Sequence, residues 1–230
     1  MVNWDLIITK HALRLDQVTD NRNSLYLAPF GEAELTAVSP LDTTNIYFPV
    51  SSVAAYKHLP PGELTANAAK AENSLTWGIY NGKVLPNNFA GIVSLTQTLH
   101  DTSGKPKYTN LMQEIGTYIM RPSARGQGIG TLAKAGLIAH AFENLGMKAV
   151  YAYTSEYNHA SQDSLSKIGF TCLHADQYLH FEGGEKTETW YLASPRAQEL
   201  IALQDSEFEA LAKGWEQYLE LQQRITINRA

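Results

Sequence analysis

A glycine-rich stretch near the middle of the chain carries the residues with the clearest chemical meaning. It runs from Arg125 to Thr131 with the sequence Arg-Gly-Gln-Gly-Ile-Gly-Thr, between a strand pattern and a helix pattern. Glycines allow φ above zero and leave room for a ligand, so that successive backbone N–H groups can face one concavity. The start of the following helix adds partial positive charge, and Arg125 adds a fixed cation. The stretch predicts an anion site suited to a pyrophosphate, although a tight strand-to-helix connection would also use such glycines.

Two other kinds of phosphate-binding loop do not fit these residues. The dinucleotide fingerprint requires a third glycine at the position that Thr131 occupies. A Walker loop requires Gly-Lys-Ser or Gly-Lys-Thr, which the sequence does not contain. The loop therefore indicates a phosphate-containing ligand of another kind.

A second motif extends from Asn158 to Phe170, with the sequence Asn-His-Ala-Ser-Gln-Asp-Ser-Leu-Ser-Lys-Ile-Gly-Phe. At these two motifs the chain resembles the GNAT superfamily of N-acetyltransferases, whose signature Arg/Gln-x-x-Gly-x-Gly/Ala is matched from Arg125 to Gly130. The segment from Leu25 to Phe30 is similar to the branch that holds ribosomal-protein-alanine N-acetyltransferases. The resemblance implies an α/β (α+β) fold with a mixed, mostly antiparallel central sheet flanked by helices, here with an extra C-terminal helix.

The resemblance also implies acetyl-coenzyme A as the cosubstrate, with no metal. The backbone of Ile119, Met120 and Arg121 would contact the pantetheine arm, and Asn158 would bond the pantetheine or lie near the thioester, with Ser161 beside it. The pyrophosphate would lie on the loop residues Arg125, Gly126, Gln127, Gly128, Ile129, Gly130 and Thr131.

Acetyl transfer to an amine requires a neutral amine, a polarised carbonyl and a thiolate that leaves. Glu114 begins the strand that would flank the acetyl group, and it is the candidate general base, directly or through a water. A solvated carboxylate at the start of a strand is the competing interpretation. Many relatives place a tyrosine as general acid seven residues after the asparagine, where this chain has Leu165. Protonation of the thiolate would then fall to water or to another group.

Three further side chains have open or minor roles. Arg121 and Lys134 could reach the 3′-phosphate of the cosubstrate, with solvated surface charge as the alternative. Cys172 is predicted to be a small core residue, because free cysteine is usually buried, and the chemistry needs no covalent intermediate.

These residues predict an N-acetyltransferase that transfers the acetyl group of acetyl-coenzyme A to a primary amine, on a protein N-terminus or on a small molecule. Two alternatives stay open. One is a transferase that uses another acyl donor, such as succinyl-coenzyme A. The other is a non-catalytic module that binds or senses acyl-coenzyme A, an alternative that the missing tyrosine keeps open.

The elements around the motifs follow from periodicity, caps and turns. Strands are predicted at Ser24 to Phe30, Leu75 to Tyr80, Phe89 to Leu99, Glu114 to Met120 and Met147 to Thr154, and helices at Gly128 to Leu145 and Ala160 to Ile168. We expect an N-terminal extension (1–23), an acetyltransferase domain (24–193) and a C-terminal helical extension (194–230). Its helix, from Ser194 to about Gln223, could cover the core or pair two subunits in a homodimer.

The composition excludes several classes of protein. The 230 residues are 44% hydrophobic and 18% charged, enough for a sizeable core. The formal net charge is −5 and no block of Lys or Arg stands out, so a nucleic-acid partner is not expected. No apolar run approaches the roughly 20 residues of a membrane helix, and the N-terminus lacks the features of a signal peptide. With a single cysteine, these features predict a cytoplasmic protein.

Overall fold

The computed structural model describes residues 16–20, 22–29, 74–96, 112–119, 121–176, 187–197 and 205–229. Its strands are β1 (Asp16–Thr19), β2 (Ser24–Pro29), β3 (Ser74–Asn81), β4 (Phe89–Thr96), β5 (Met112–Ile119), β6 (Ala149–Ser155), β7 (Thr171–Asp176), β8 (Thr187–Ala193) and β9 (Thr226–Arg229). Its α-helices are α1 (Ile129–Glu143), α2 (His159–Ile168) and α3 (Asp205–Gln222), with 3-10 turns at Pro86–Asn88, Pro122–Ala124 and Pro195–Ala197.

The described strands form one sheet in the order β7-β8-β6-β5-β4-β3-β2-β1-β9. Neighbouring strands are antiparallel, with one exception: β5 and β6 are parallel. Parallel neighbours need a long crossover, and helix α1 provides it. The expected class is confirmed: a mixed, mostly antiparallel sheet flanked by helices, with an additional helix near the C-terminus.

Helix α1 lies at the centre of the core. Residues 132–141 are all buried, because the sheet covers one side of the helix while α2 and α3 pack on others. On the α3 side, Phe142 meets the rings of Trp215 and Tyr218 at centroid distances of 5.1 and 5.7 Å. Helix α1 is therefore buried on all sides over residues 132–141 and not along one face only. None of the described helices is long and apolar enough to cross a membrane.

Helix α3 packs against the C-terminal end of α2. The backbones of Gly169 and Gly214 touch, so that a Cβ on either residue would collide with the carbonyl oxygen of the other. Gln217 Nε2 donates to the carbonyl oxygen of Ser166 at 2.8 Å, which satisfies an acceptor at the end of α2. The C-terminal helix therefore covers the core of its own chain.

Segments near both ends of the chain extend the sheet. Strand β1 pairs with β2 on one side and with β9 on the other. The sequence gives no strand pattern for β1, because alternation over 4 residues is too short to recognise. The predicted helix start at Ser194 is a 3-10 turn over Pro195–Ala197, where Ser194 Oγ donates to the carbonyl oxygen of Lys148 at 2.9 Å. The described part of the C-terminal helix is α3, and residues 198–204 lie outside the described residues. The domain boundaries after residues 23 and 193 stay predictions.

Candidate active site

The glycine-rich loop presents backbone donors at the start of α1. Gly126 and Gly128 have φ of 71° and 80°, in the left-handed region that glycine tolerates. The first hydrogen bond of the helix runs from Leu132 N to the carbonyl oxygen of Gly128 at 3.0 Å. The amides of residues 129–131 therefore have no partner within the helix, and they lie at its positive end. A diphosphate can be bound by these donors.

Side chains on both sides hold this loop in place. Arg125 Nε donates to the carbonyl oxygen of Ile119 at 3.0 Å, which ties the loop to the end of β5. Gln127 Nε2 donates to Ser123 O at 2.6 Å, and Gln127 O accepts from Asn23 Nδ2 at 3.1 Å. The turn between β1 and β2 thus braces the loop. This contribution of the N-terminal segment was not predicted from the sequence.

Strands β5 and β6 part beside the loop. Their parallel pairing covers three register pairs and ends at Glu114 and Tyr151; beyond that point β5 stays on β4 and β6 on β8. Thr117 and Thr154 each lie three residues past the last pair. Their hydroxyl oxygens are buried, and neither has a hydrogen-bond partner within the described part of the chain. Buried hydroxyls are normally bonded, so these two suit a polar ligand in the gap. Neither threonine stands out in the sequence, because threonine is common in strands.

The loop and the gap are adjacent, and together they fit coenzyme A. A Cβ on Gly130 would lie 3.3 Å from Ile119 Cγ1 and 3.7 Å from Thr117 Cγ2, so the first turn of α1 rests on the end of β5. A diphosphate on the loop would continue into a narrow chain with amide groups between the strands. Amide groups can both donate to and accept from threonine hydroxyls. The residues present therefore match the chemistry of a pantetheine diphosphate.

Glu114 lies where the two strands part. Its neighbour Ile115 belongs to the core under α1, so the alternation of the strand puts Glu114 on the opposite face of the sheet. The register places it between Thr96 of β4 and Tyr151 of β6, and its side chain is half-buried. The carboxyl group thus lies on the face opposite α1, beside the buried residues Met112 and Tyr151, at the point where the two strands part. Its role as base stays a prediction.

Asn158 is the N-cap of α2. Its Oδ1 accepts from Ser161 N at 3.3 Å, while its Nδ2 has no partner within the described residues. Gln162 fixes the preceding turn, because its Nε2 donates to Glu156 O and to Glu188 Oε2, each at 3.0 Å. The amide of Asn158 therefore caps the helix through its oxygen and keeps N–H donors for a ligand. Binding by Asn158 or Ser161 stays a prediction.

The end of β5 is more fully bonded than the resemblance implied. The amide of Arg121 donates to Ala90 O at 3.1 Å, and its guanidinium donates at 2.6 Å to a carbonyl oxygen between β3 and β4. The carbonyl oxygen of Ile119 already accepts from Arg125. Met120 lies outside the described residues. Main-chain contacts from these positions to pantetheine stay predictions. Only backbone groups that are not already hydrogen-bonded within the protein are available for them.

The structure also shows the surroundings of Leu165, Cys172 and Lys134 and the groups that could bind a metal. Leu165 is fully buried in the hydrophobic core, so no titratable group occupies the position of the family tyrosine. Cys172 is exposed on the outermost strand β7, so its predicted place in the core is wrong. Lys134 is only 6% exposed, so the surface-charge interpretation is wrong for this residue. Within the described ranges, no group of three His, Cys, Asp or Glu side chains could hold a metal ion.

The family follows from the sequence match. The family model described as "Acetyltransferase (GNAT) domain" matches residues 33–171, more than half of the chain. The chain belongs to the GNAT acetyltransferase family. It is therefore an acetyltransferase by family and fold. A search of curated proteins finds no match for this acetyltransferase.

Solved structures agree with this fold. Mycobacterium smegmatis RimJ, in complex with CoA-disulfide, has a TM-score of 0.60 at 15% identity over 92% of this chain and 95% of its own. A GNAT-family acetyltransferase from Bacillus anthracis has a TM-score of 0.53 at 13% identity, over 77% and 98% of the two chains. Vibrio cholerae spermidine N-acetyltransferase, in complex with CoA and spermine, has a TM-score of 0.53 at 15% identity, over 74% and 95%. At these identities the likeness concerns the fold.

Proposed function

We propose that this acetyltransferase transfers the acetyl group of acetyl-coenzyme A to a primary amine, on a protein N-terminus or on a small molecule. The observation that carries the proposal is the gap between β5 and β6. It opens beyond Glu114 and Tyr151, beside a loop whose amides have no partner within the helix. The strands on its two sides carry Thr117 and Thr154, whose buried hydroxyls have no hydrogen-bond partner among the described residues. Two neighbours in fold were solved with forms of coenzyme A, which supports the choice of cosubstrate.

Each part of the site has a role in this proposal. Bound acetyl-coenzyme A supplies an activated acetyl group. The amides of residues 129–131 hold the diphosphate, and Asn158 Nδ2 donates to a pantetheine carbonyl. Glu114 accepts a proton from the incoming ammonium group, directly or through a water, which frees the lone pair of the nitrogen. Helices α1 and α2 keep water away from the α1 face of the gap.

The acceptor is proposed to be cationic before it reacts. The sheet face that carries Glu114 also carries hydroxyl groups of β4, because Ser94 Oγ lies 3.2 Å from the Cβ position of Gly116 and Thr96 is paired with Glu114. A carboxylate among hydroxyls attracts an ammonium group more than an anion. The neighbour crystallised with spermine acts on a polyamine, which is compatible with such a face.

A turnover assay tests the proposal. Release of free thiol from acetyl-coenzyme A should appear with at least one member of a panel of polyamines, amino acids and peptides with different N-terminal residues. A parallel series with succinyl-coenzyme A tests the other acyl donor. Cosubstrate binding without thiol release from either donor for any amine would favour the non-catalytic module. A homodimer paired through the C-terminal helix and the predicted cytoplasmic location stay separate hypotheses, which sedimentation and cell fractionation address.

A further inference from the structure

Lys134 is a buried lysine between helices α1 and α2. Only 6% of its surface is exposed, and its Nζ donates to Ser164 Oγ at 3.1 Å. The same hydroxyl of Ser164 is 3.0 Å from Thr131 Oγ1. Thr131 and Lys134 share one face of α1, because they are three residues apart. Ser164 thus joins the lysine to the first turn of the helix.

The cluster has more hydrogen-bond donors than acceptors. An ammonium group has three N–H donors and no acceptor, and the Ser164 bond uses one of them. No ion pair involves Lys134 within the described residues. Lysine is almost never fully buried without a charged partner, because removing the charge from water is costly. An anion would therefore use the donors of this ammonium group that the described residues leave without a partner.

No charged side chain among those that the structure describes replaces that anion. Tyrosines apart, the other titratable residues on α1, α2 and strands β4 to β6 are His140, Glu143, His159, Asp163, Lys167 and Glu114. Glu143 and the three residues of α2 are exposed, Glu114 is on the other face of the sheet, and His140 packs against Trp77. Strand β6 has no charged residue, and the buried residues of α3 are Leu211, Gly214 and Tyr218. Burial alone lowers the pKa of Lys134 to about 8.

We propose that Lys134, held by Ser164 and Thr131, contacts the diphosphate of bound acyl-coenzyme A and adds a second cation to that of Arg125. The proposal rests on the proposed function, since it requires that ligand. The diphosphate is favoured over the 3′-phosphate because Thr131 belongs to both groups of donors: its amide lies at the free end of α1 and its hydroxyl lies in the lysine cluster. The guanidinium of Arg125 is partly used to hold Ile119, which leaves a need for this second cation.

Calorimetry of acetyl-coenzyme A binding, without an acceptor amine, tests the role of Lys134. Titrations at pH 7, 8 and 9 in buffers of different ionisation enthalpy report both affinity and proton uptake. Lys134→Met should weaken binding at pH 7 by roughly 10- to 100-fold, the range for a lost charge-assisted hydrogen bond. The wild type should take up about half a proton at pH 8 and nearly one at pH 9, because the anion raises a pKa of about 8. Lys134→Met and Lys134→Arg should lack this uptake, since neither side chain titrates there.

Controls separate the possible outcomes. Lys167→Met removes an exposed lysine of α2 and should bind like the wild type. Acetylated dephospho-coenzyme A lacks only the 3′-phosphate, so Lys134→Met should weaken its binding by the same factor. If that factor disappears, the 3′-phosphate is the partner and the diphosphate assignment falls. If Lys134→Met matches the wild type in affinity and proton uptake, the role of Lys134 falls while the proposed function stands. A wild type that binds no acetyl-coenzyme A removes the proposed function itself.

Discussion

Replacing Lys134 by methionine should stabilise the free protein, and by more at neutral pH than at alkaline pH. Burial lowers the pKa of Lys134 from 10.5 to about 8. One pKa unit corresponds to about 1.4 kcal/mol, so the charged form destabilises the fold by about 3 kcal/mol. Between pH 8 and 10.5 the unfolded chain binds more protons than the folded one, so the free energy of unfolding rises with pH in that window. Below pH 8 the lysine is mainly charged in both the folded and the unfolded state, so its charge destabilises the fold by the full amount.

Urea unfolding of the apo proteins measures this effect. Methionine fills a similar volume without a charge, so Lys134→Met should exceed the wild type in free energy of unfolding by about 3 kcal/mol at pH 7. The difference should shrink by about 2 kcal/mol between pH 7 and pH 9.5, as the wild-type lysine loses its proton. Lys167→Met, at an exposed position on α2, should show no such pH dependence. A pH-independent difference, or a variant less stable than the wild type at every pH, would refute an unpaired buried charge.

Three further changes test the rest of the site. Gly128→Glu should weaken acetyl-coenzyme A binding by more than about 100-fold, because a carboxylate would face the diphosphate; Gly146→Glu, at another left-handed glycine with open space around it, controls for backbone strain. Glu114→Gln should lower turnover by roughly 10²- to 10⁴-fold with binding unchanged, and wild-type turnover at all pH values would remove it from the mechanism. Asn158→Asp should keep the apo melting temperature within about 2–4 °C, because the capping oxygen remains. It should weaken acetyl-coenzyme A binding by roughly 1–3 kcal/mol, and normal binding with lost apo stability would make Asn158 a cap only.

Local signals were enough to predict the elements around the phosphate loop. The predicted helix from Gly128 to Leu145 corresponds to Ile129–Glu143, and the helix from Ala160 corresponds to His159–Ile168. Glycines mark the end of each helix, and asparagine marks the start of the second, so the boundaries depend on residues within a few positions. Alternation likewise predicted β2 to within one residue of its end.

The parts that sequence could not predict depend on contacts between distant segments. Nothing near Asn23 indicates that its side chain bonds to Gln127, 104 residues later. The unbonded hydroxyls of Thr117 and Thr154 have meaning only once β5 and β6 are known to part between them. In the sequence, two threonines in strands are ordinary, because threonine is common in β-structure.

The hydrogen-bonded cluster of Lys134, Ser164 and Thr131 shows the same dependence on tertiary structure most clearly. From the helix pattern alone, Lys134 would be predicted to be exposed to solvent, because lysine is rarely buried in a core. It becomes buried because α2 covers one side of α1 and α3 reaches the adjacent turn, where Gln222 Nε2 donates to the carbonyl oxygen of Ala135 at 3.4 Å. Excluding water in this way raises the cost of an unpaired charge and also strengthens its attraction to an anion. The proposed contact between Lys134 and a diphosphate therefore depends on the packing of α2 on α1, which no local pattern in the sequence encodes.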